Sequence, residues 1–345
     1  MNWVPTTKNR HFNVFHCQDI DQQAAMLHAW NQSYCQLSAG AFEGGVMEID
    51  TGAIRVAVER LNRAVLQRGG LSSDCVAIGI PLHLQGHSRL CGQRSHVDGL
   101  HVFSDPDGFE FRSPERHVVV DIEFYPGRFT NPALRDALGS IAAKLGPRAT
   151  VMDMGEGRLD AMRQLLRAIF EAVGANPHLL ETPAVCEAFE KSMVFGIADL
   201  LDAEPVHDSA AAVGPSRSWG LVQSARALVE QAESDCPLSV AELVAALGVS
   251  RRSLQYAFQD ALEINPVAYL RVERLNRVRS ALRDAASVTE AATCFGFWHF
   301  GNFAHDYRAL FGELPSETFR RRRGHAAPAR PYGFPAANPV TAWLS

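Results

Sequence analysis

Between residues 238 and 311 one short plan occurs twice, and that repeat restricts the C-terminal third of the chain to small helices packed in pairs. In 238–261, Val240, Leu243, Val244 and Leu247 recur at helical spacing, and Gly248, suited to a left-handed backbone, ends the stripe. Ser250 then caps a second helix on which Leu254, Phe258 and Leu262 repeat every four residues and must face a core. Arg252, Gln255, Tyr256 and Gln259 are left outside, and such long hydrogen-bonding side chains reach base edges in a DNA major groove. In 288–311 the plan returns with Val288 to Cys294, a helix-ending Gly296, and a second helix whose expected buried stripe is Phe300, Phe303, Tyr307 and Leu310. Trp298, Gly301, Asn302 and His305 then face outward, a less polar set, so the first unit is expected to supply most base discrimination. For Trp298, packing inside its own unit is the commoner fate of such a residue and is weighted above contact with DNA.

Pro266 opens the stretch between the two units, and Leu270, Leu275, Val278 and Leu282 give it a buried side over 266–284. Its other side carries Arg271, Arg274, Arg277, Arg279 and Arg283, placed to neutralise phosphates without reading sequence. A helix of that length measures about 27 Å, of the order of the ~34 Å between major-groove segments one turn apart. The run Arg320 to Arg323 divides evenly between a solvated helix end and further phosphate contact. A single helical pair of this spacing is weak support for DNA binding, because ordinary helical hairpins share it; two in tandem, joined by an arginine-lined helix, are not easily produced by chance.

The formal net charge of −5 looks wrong for a DNA binder until the chain is divided. Residues 1–214 hold 18 basic and 26 acidic side chains, whereas 215–324 hold 14 arginines, no lysine and 12 acids. Positive charge therefore lies where the repeated plan lies, in the side chain whose planar fork suits phosphate and guanine. With 345 residues, 47% of them hydrophobic, the chain can bury two ordinary cores. Its seven cysteines show no CxxC pair or zinc-finger spacing and read as reduced thiols of a cytoplasmic protein. No apolar run is long enough for a membrane span, so no membrane partner is expected.

The N-terminal half has a different texture. A first helix is expected over 19–33, then strands over 46–49, 54–58, 76–80 and 118–125, then helices over 157–173 and 183–202. The fold class is therefore α+β: a β-rich half, sandwich or barrel-like, with helices, followed by an all-α half. His83, His87, His96, His101 and His117 crowd the strand region, but a tight His-x-His followed by Glu is absent, so no metal is expected and the histidines read as solvated or core-satisfied. Asp121 and Glu123 share one face of their strand, opposite Val118, Val120, Ile122 and Phe124. If that face lines a pocket, the two carboxylates hold a cationic amine such as ethanolamine; if it faces water, the commoner arrangement, they are surface charges.

The paired units, the Gly296-Phe297 turn and the ending Phe311-Gly312-Glu313-Leu314-Pro315-Ser316-Glu317-Thr318-Phe319-Arg320 resemble the DNA-binding domain of the AraC/XylS family of transcription regulators. Val249 to Gln255 and Gly296 to Ala304 are most similar to the ethanolamine-operon regulator subgroup, as are Ala41-Phe42-Glu43-Gly44 and Ile78-Gly79-Ile80-Pro81 upstream. The resemblance implies a sensor and dimerisation domain over 1–202 and a DNA-binding domain over 218–323; the composition of 203–217, with Glu204-Pro205, Ser209 to Ala212 and Gly214-Pro215-Ser216, reads as a linker, and the Pro- and Ala-rich stretch 324–345 as a disordered tail. It implies base contacts by Arg252, Gln255 and Tyr256, to which Gln259, Asn302 and His305 are added from their outward positions. Phosphate contacts are expected from Ser250, Arg251, Arg271, Arg274, Arg277 and Arg320. In the second unit the family's usual polar positions match Phe300, Gly301 and His305, a departure that weakens base readout there. The implied partners are double-stranded promoter DNA, a small-molecule effector, a second copy in a homodimer and, for an activator, RNA polymerase. Ethanolamine with adenosylcobalamin as co-effector is the signal the subgroup implies; another small amine or an aromatic metabolite is the alternative. No catalytic residue is expected, since a bifunctional DNA-repair alkyltransferase needs clustered cysteines that this chain lacks.

Overall fold

The computed structural model describes residues 9–27, 30–103, 108–202, 217–232 and 237–323. In chain order the elements are β1 (Phe12–Cys17), α1 (Ile20–Met26), β2 (Ser33–Gln36), β3 (Gly44–Asp50), β4 (Ile54–Leu61), β5 (Val65–Gly69), β6 (Val76–Gln85), β7 (Ser88–Leu90), β8 (Gln93–Ser95), β9 (Gly99–Val102), β10 (Phe109–Arg112), β11 (Arg116–Phe124), α2 (Pro132–Leu145), β12 (Thr150–Asp153), α3 (Asp160–Ala175) and α4 (Pro183–Asp202). The helices α5 (Arg217–Gln231), α6 (Val240–Leu247), α7 (Arg251–Leu262), α8 (Pro266–Ala281), α9 (Val288–Cys294), α10 (Phe300–Phe311) and α11 (Pro315–Arg322) follow. The expected α+β class, β-rich first and helical second, is what the chain adopts.

The strands form two antiparallel sheets, ordered β1-β3-β4-β11-β6-β9-β12 and β2-β5-β10-β7-β8. β11 is central, with Val120 opposite Val58 on one side and Ile80 on the other. Alternation gives it two different faces. Val120, Ile122 and Phe124 join the core made with α2, α3 and α4, where Leu138, Leu166, Phe170 and Ile197 are buried. The opposite face looks toward the second sheet, across a core containing Trp30, Tyr34, Phe103, Phe109 and Phe111. Pro81 in β6 cannot donate to a ladder, and the β6–β11 register shifts beside it, between Val118 and Val119.

The helix expected over 19–33 is shorter. α1 opens on Asp19, whose side chain accepts from Asp21 N, and ends at Met26. Ser33 already belongs to β2, because Tyr34 and Gln36 point inward and pair along β5. Helical periodicity from Ile20 did not reveal where the buried aromatics would turn the chain. The linker expected over 203–217 and the tail over 324–345 lie outside the described residues, apart from Arg217, which opens α5.

Both helical units close as the local chemistry dictates. Ser239 and Glu242 exchange hydrogen bonds in a capping box at the start of α6, and Gly248 takes φ +63° at its end. Ser250 Oγ accepts from Ser253 N at 3.0 Å and starts α7. In the second unit Ser287 caps α9, and Gly296 sits at φ +75°, where a Cβ would come within 2.7 Å of Pro237.

Candidate nucleic-acid interface

On α7 the buried side is Leu254, Ala257, Phe258, Ala261 and Leu262. Arg251, Arg252, Gln255, Tyr256 and Gln259 are all exposed on the other, with Ser250 exposed at its start. Arg252 and Tyr256, one turn apart, are already organised: Arg252 Nη2 donates to Tyr256 Oη at 3.1 Å, and its guanidinium lies 5.3 Å from the ring centroid. This side presents two guanidiniums, a phenol and two amides, the donor and acceptor set that distinguishes bases in a major groove.

On α10 the buried side is Phe303, Tyr307, Leu310 and Phe311, and Asn302 and His305 are exposed. Two expectations are corrected there. Phe300 is not in the buried stripe but 44% exposed, and Trp298 does not pack inside the unit but is 67% exposed. The interior position belongs to Phe297, whose ring lies 5.1 Å from that of Phe303. Phe300 is the first residue of α10, so its side chain leans back past the packed turn rather than along it.

α8 connects the units through 16 residues, about 24 Å of helix and slightly shorter than expected. Leu270, Leu275, Val278 and Leu282 are buried as anticipated. The arginines are not uniformly outward. Arg271 is exposed and pairs with Asp306 on α10. Arg274 is half-buried, with its guanidinium 5.0 Å from the Phe297 ring centroid. Arg277, expected at phosphate, is turned to Glu273 Oε1 at 3.0 Å and to the Val229 carbonyl at 3.2 Å. Arg279, also expected to face outward, is buried, with both terminal nitrogens paired to carboxylates. Arg283 and Arg320 remain exposed.

Arg279 and the 320–323 run supply a contact that sequence reasoning missed. Asp19, the cap of α1, receives Arg279 Nη2 at 3.2 Å, Arg322 Nη2 at 3.0 Å and Arg321 Nη2 at 3.4 Å. Burial alone would push this carboxyl up, but the three guanidiniums outweigh it and hold it down to about 2. Asp21 takes a second contact from Arg322, and Glu313 binds the other nitrogen of Arg279 at 2.9 Å. Beside this cluster Gln36 and Asn276 exchange backbone-like hydrogen bonds of 2.9 and 3.1 Å, and Gln36 Nε2 donates to Leu310 O at 2.7 Å. The first unit is held elsewhere, by Arg89 to Asp260 at 3.0 Å and Arg112 to Glu263 at 2.5 Å. Arg226 of α5 reaches Glu110 at 2.6 Å. The signal was present in the charge asymmetry: an acidic first half offers carboxylates to the same guanidiniums that suit phosphate.

Asp121 and Glu123 are buried on the inter-sheet face of β11, not solvated. Glu123 accepts from Trp30 Nε1 at 2.6 Å, Arg55 Nη1 at 2.8 Å and Tyr125 Oη at 2.6 Å. Glu59 of β4, which the sequence reading did not select, joins them. It accepts from Tyr34 Oη at 2.5 Å, Gln23 Nε2 at 3.2 Å and Gln67 Nε2 at 2.8 Å. Burial would lift the Glu59 carboxyl, but the nearby His117 imidazole and these hydrogen bonds bring it below its usual range. Asp121 goes the other way, pushed well up by burial and then by Glu59 and Glu123. Burial, with His117 and His96 nearby, depresses His101 to about 3, so it is a neutral ring beside Ser95 Oγ at 2.6 Å. His117 Nε2 lies 3.8 Å from Glu59 Oε2, while Nδ1 of His117, Nδ1 of His101 and Oε1 of Gln23 have no hydrogen-bond partner although buried. Among the described residues no group of three or more His, Cys, Asp or Glu is arranged to hold a metal ion, and no helix is long and apolar enough to cross a membrane.

Residues 243–321 match the family described as a helix-turn-helix domain. Over 94 residues the chain is 43% identical to a probable thc operon regulatory protein of Rhodococcus erythropolis, covering 26% of this chain and 28% of that one. Over 90 residues it is 41% identical to XylDLEGF operon transcriptional activator 1 of Pseudomonas putida, covering 25% of this chain and 27% of that one. The chain thus matches just over a quarter of the length of these relatives. A solved regulator with an AraC-type DNA-binding domain, from Chromobacterium violaceum, is 32% identical over 32% of this chain and 97% of that one, with a TM-score of 0.30.

Proposed function

With an AraC/XylS-type helix-turn-helix domain over residues 243–321 as the premise, we propose that this protein is a sequence-specific transcription regulator that binds promoter DNA through two reading units and answers to a small molecule. The observation that carries the reading is the exposed, polar and pre-paired face of α7, presented by a helix whose other side is wholly buried. α8, about 24 Å long, joins a second such unit to the first, and the two are assigned to successive groove segments. Arg251, Arg271 and Arg320, exposed around the reading helices, are assigned to phosphates. Arg277 is dropped from that set because its guanidinium already has two protein acceptors. Action as a homodimer, and as an activator in contact with RNA polymerase, belongs to the same proposal by analogy with the regulators it resembles.

The effector is assigned to the inter-sheet face of β11. Three buried carboxyl groups, Glu59, Asp121 and Glu123, lie here with Arg55, and Nδ1 of His117, Nδ1 of His101 and Oε1 of Gln23 lack hydrogen-bond partners, which favours a small cationic guest able to hydrogen-bond. The rings of Trp30, Phe103 and Phe109 pack edge to face on one another, with centroids 4.7 to 5.4 Å apart, and Trp30 bonds Glu123 directly, so aromatic faces lie close to these carboxyl groups, an environment that suits a cation. Ethanolamine is the amine suggested by resemblance. Adenosylcobalamin as co-effector is suggested by the same resemblance alone, and no residue is assigned to it.

The test is selection of bound sequences from random duplex DNA, followed by titration of the selected site. Sequence-independent binding only, or none, would overturn the regulator reading. Calorimetry with ethanolamine, with and without adenosylcobalamin, on the wild type and on Asp121→Asn tests the effector assignment; equal heats for both proteins would remove Asp121 from it.

A further inference from the structure

Trp298 and Phe300 stand two residues apart at the entry to α10, and both are exposed large apolar side chains. Isolated apolar residues on a surface need no explanation, but two exposed aromatic side chains within three residues of one another do. Neither is needed to close the second unit, since Phe297, Phe303, Tyr307 and Phe311 already fill it with ring contacts of 4.6 to 5.7 Å. Gly301 follows them, and a Cβ there would meet nothing within 4 Å, so the approach to the rings is open. His299, Asn302 and His305 are exposed as well, and Arg271 lies beside α10 through its pair with Asp306.

The opening residues of the second helix in such a unit are the ones that meet base edges. A major groove presents one apolar feature, the C5-methyl of thymine, and it takes apolar contact from side chains including phenyl rings. We infer that Trp298 and Phe300 make the second unit a reader of thymine methyl groups, with Asn302 alongside to recognise adenine. The two units then use different chemistries: guanidinium and amide hydrogen bonds on α7, aromatic contact with methyl groups on α10. The departure from polar residues at Phe300 and Gly301 is in that case a change of code and not a loss of readout. This inference rests on the DNA-binding reading proposed above.

The experiment starts from the selected duplex. Footprinting assigns the segment covered by each unit, and each thymine under the second unit is replaced by deoxyuridine, which removes only the methyl. Each methyl contacted is expected to cost about fourfold in affinity, equivalent to about 0.8 kcal/mol. The same replacement under the first unit should cost less. Trp298→Ala and Phe300→Ala should bind the thymine duplex more weakly and no longer distinguish it from the uracil duplex, while keeping the wild-type preferences under the first unit. Both side chains lie outside the core, and circular dichroism identifies any variant that fails to fold; for such a case Trp298→Gln, which keeps length and removes the ring, replaces the alanine variant. Wild-type protein that binds thymine and uracil duplexes equally overturns the inference and leaves the regulator reading intact. Variants that still discriminate, or that lose self-association in place of methyl discrimination, also overturn it. Absence of any sequence-specific binding overturns the regulator reading itself.

Discussion

Replacing Asp19 by Asn removes one negative charge from the contact between the two halves while keeping a side-chain oxygen able to cap α1 through Asp21 N. Asp19 is 2% exposed, and its carboxyl is held at about 2 against an ordinary value near 3.9. At about 1.4 kcal/mol per pH unit, that difference corresponds to roughly 2.5 kcal/mol of stability. Removing one partner of a buried ion pair commonly costs about 3–5 kcal/mol because the other is left alone. Arg279 would not be left alone, since Glu313 stays 2.9 Å away, and Arg322 keeps Asp21 and the Arg279 carbonyl. The expected loss for Asp19→Asn is therefore about 2.5 kcal/mol, just below that range. Asp19→Ala loses the cap as well and should cost about 1 kcal/mol more. The folded carboxyl lies below its unfolded value, so its contribution is complete above about pH 4 and disappears as the pH falls from about 4 toward 2. Urea denaturation followed by tryptophan fluorescence at pH 7, 4 and 3 measures this directly. A change below about 0.5 kcal/mol at pH 7, or a wild-type advantage that persists undiminished at pH 3, would refute the reasoning.

Gln255→Ala or Arg252→Ala is expected to cost about 1–3 kcal/mol at the selected site and to relax preference at one base position, whereas Arg271→Ala should weaken all sequences alike and reduce the salt slope by about 1. Competition titrations on selected and random duplexes distinguish them; equal losses on both for Gln255→Ala would show that α7 does not read bases. Asp121→Asn should be no less stable than wild type at neutral pH. The folded Asp121 carboxyl lies above its unfolded value, so its contribution falls as the pH rises from about 4 toward the raised folded value, and the variant's advantage in Tm should be larger at pH 8 than at pH 5. Parallel Tm curves for the two proteins would contradict that burial. Gly296→Ala forces a side chain into φ +75° and to within 2.7 Å of Pro237, and should lower stability by about 1–3 kcal/mol in urea denaturation. An unchanged midpoint would mean that the turn between α9 and α10 yields easily.

The helical units were legible because every signal that builds them is local. Ser239, Ser250 and Ser287 cap, Gly248 and Gly296 turn, and apolar residues repeat at the helical period within two turns. The four strands named from β-branched runs are present for the same reason. What escaped depends on partners far away in sequence. A guanidinium satisfies a carboxylate as well as a phosphate, so nothing along α8 distinguishes Arg271, which stays outside, from Arg279, which meets Asp19. Alternation along β11 correctly separated Asp121 and Glu123 from Val120 and Ile122, but the period cannot say whether the polar face meets water or a second sheet. β7, β8 and β12, each three or four residues long, carry too few residues for a period to be read. Phe300 was misplaced because the period predicts which side of a helix a residue occupies but not where the helix begins, and α10 begins at Phe300 itself.

The two reading units are anchored to different parts of the β-rich half, and that division gives α1 its importance. The first is tied to β7 and β10 through Arg89 and Arg112. The second is tied to α1 and the segment after β2, through Asp19, Asp21 and Gln36, and through Gly40 N to Leu310 O at 2.9 Å. α1 also reaches the inter-sheet carboxylates: Gln23 donates to Glu59, and the Met26 carbonyl accepts from Arg55, whose other nitrogen holds Glu123. A guest that rearranges Glu59 or Glu123 acts on the element that carries Asp19, about one helical turn from Gln23 and two from Met26 along α1. For such a guest to alter DNA binding it must bind one arrangement of α1 better than another, since equal affinity shifts nothing. Gln23→Leu removes the link to Glu59 and leaves Asp19 untouched. If effector binding and DNA binding are coupled through α1, this variant should retain both while reducing the factor by which one changes the other; an unchanged factor would place the coupling elsewhere.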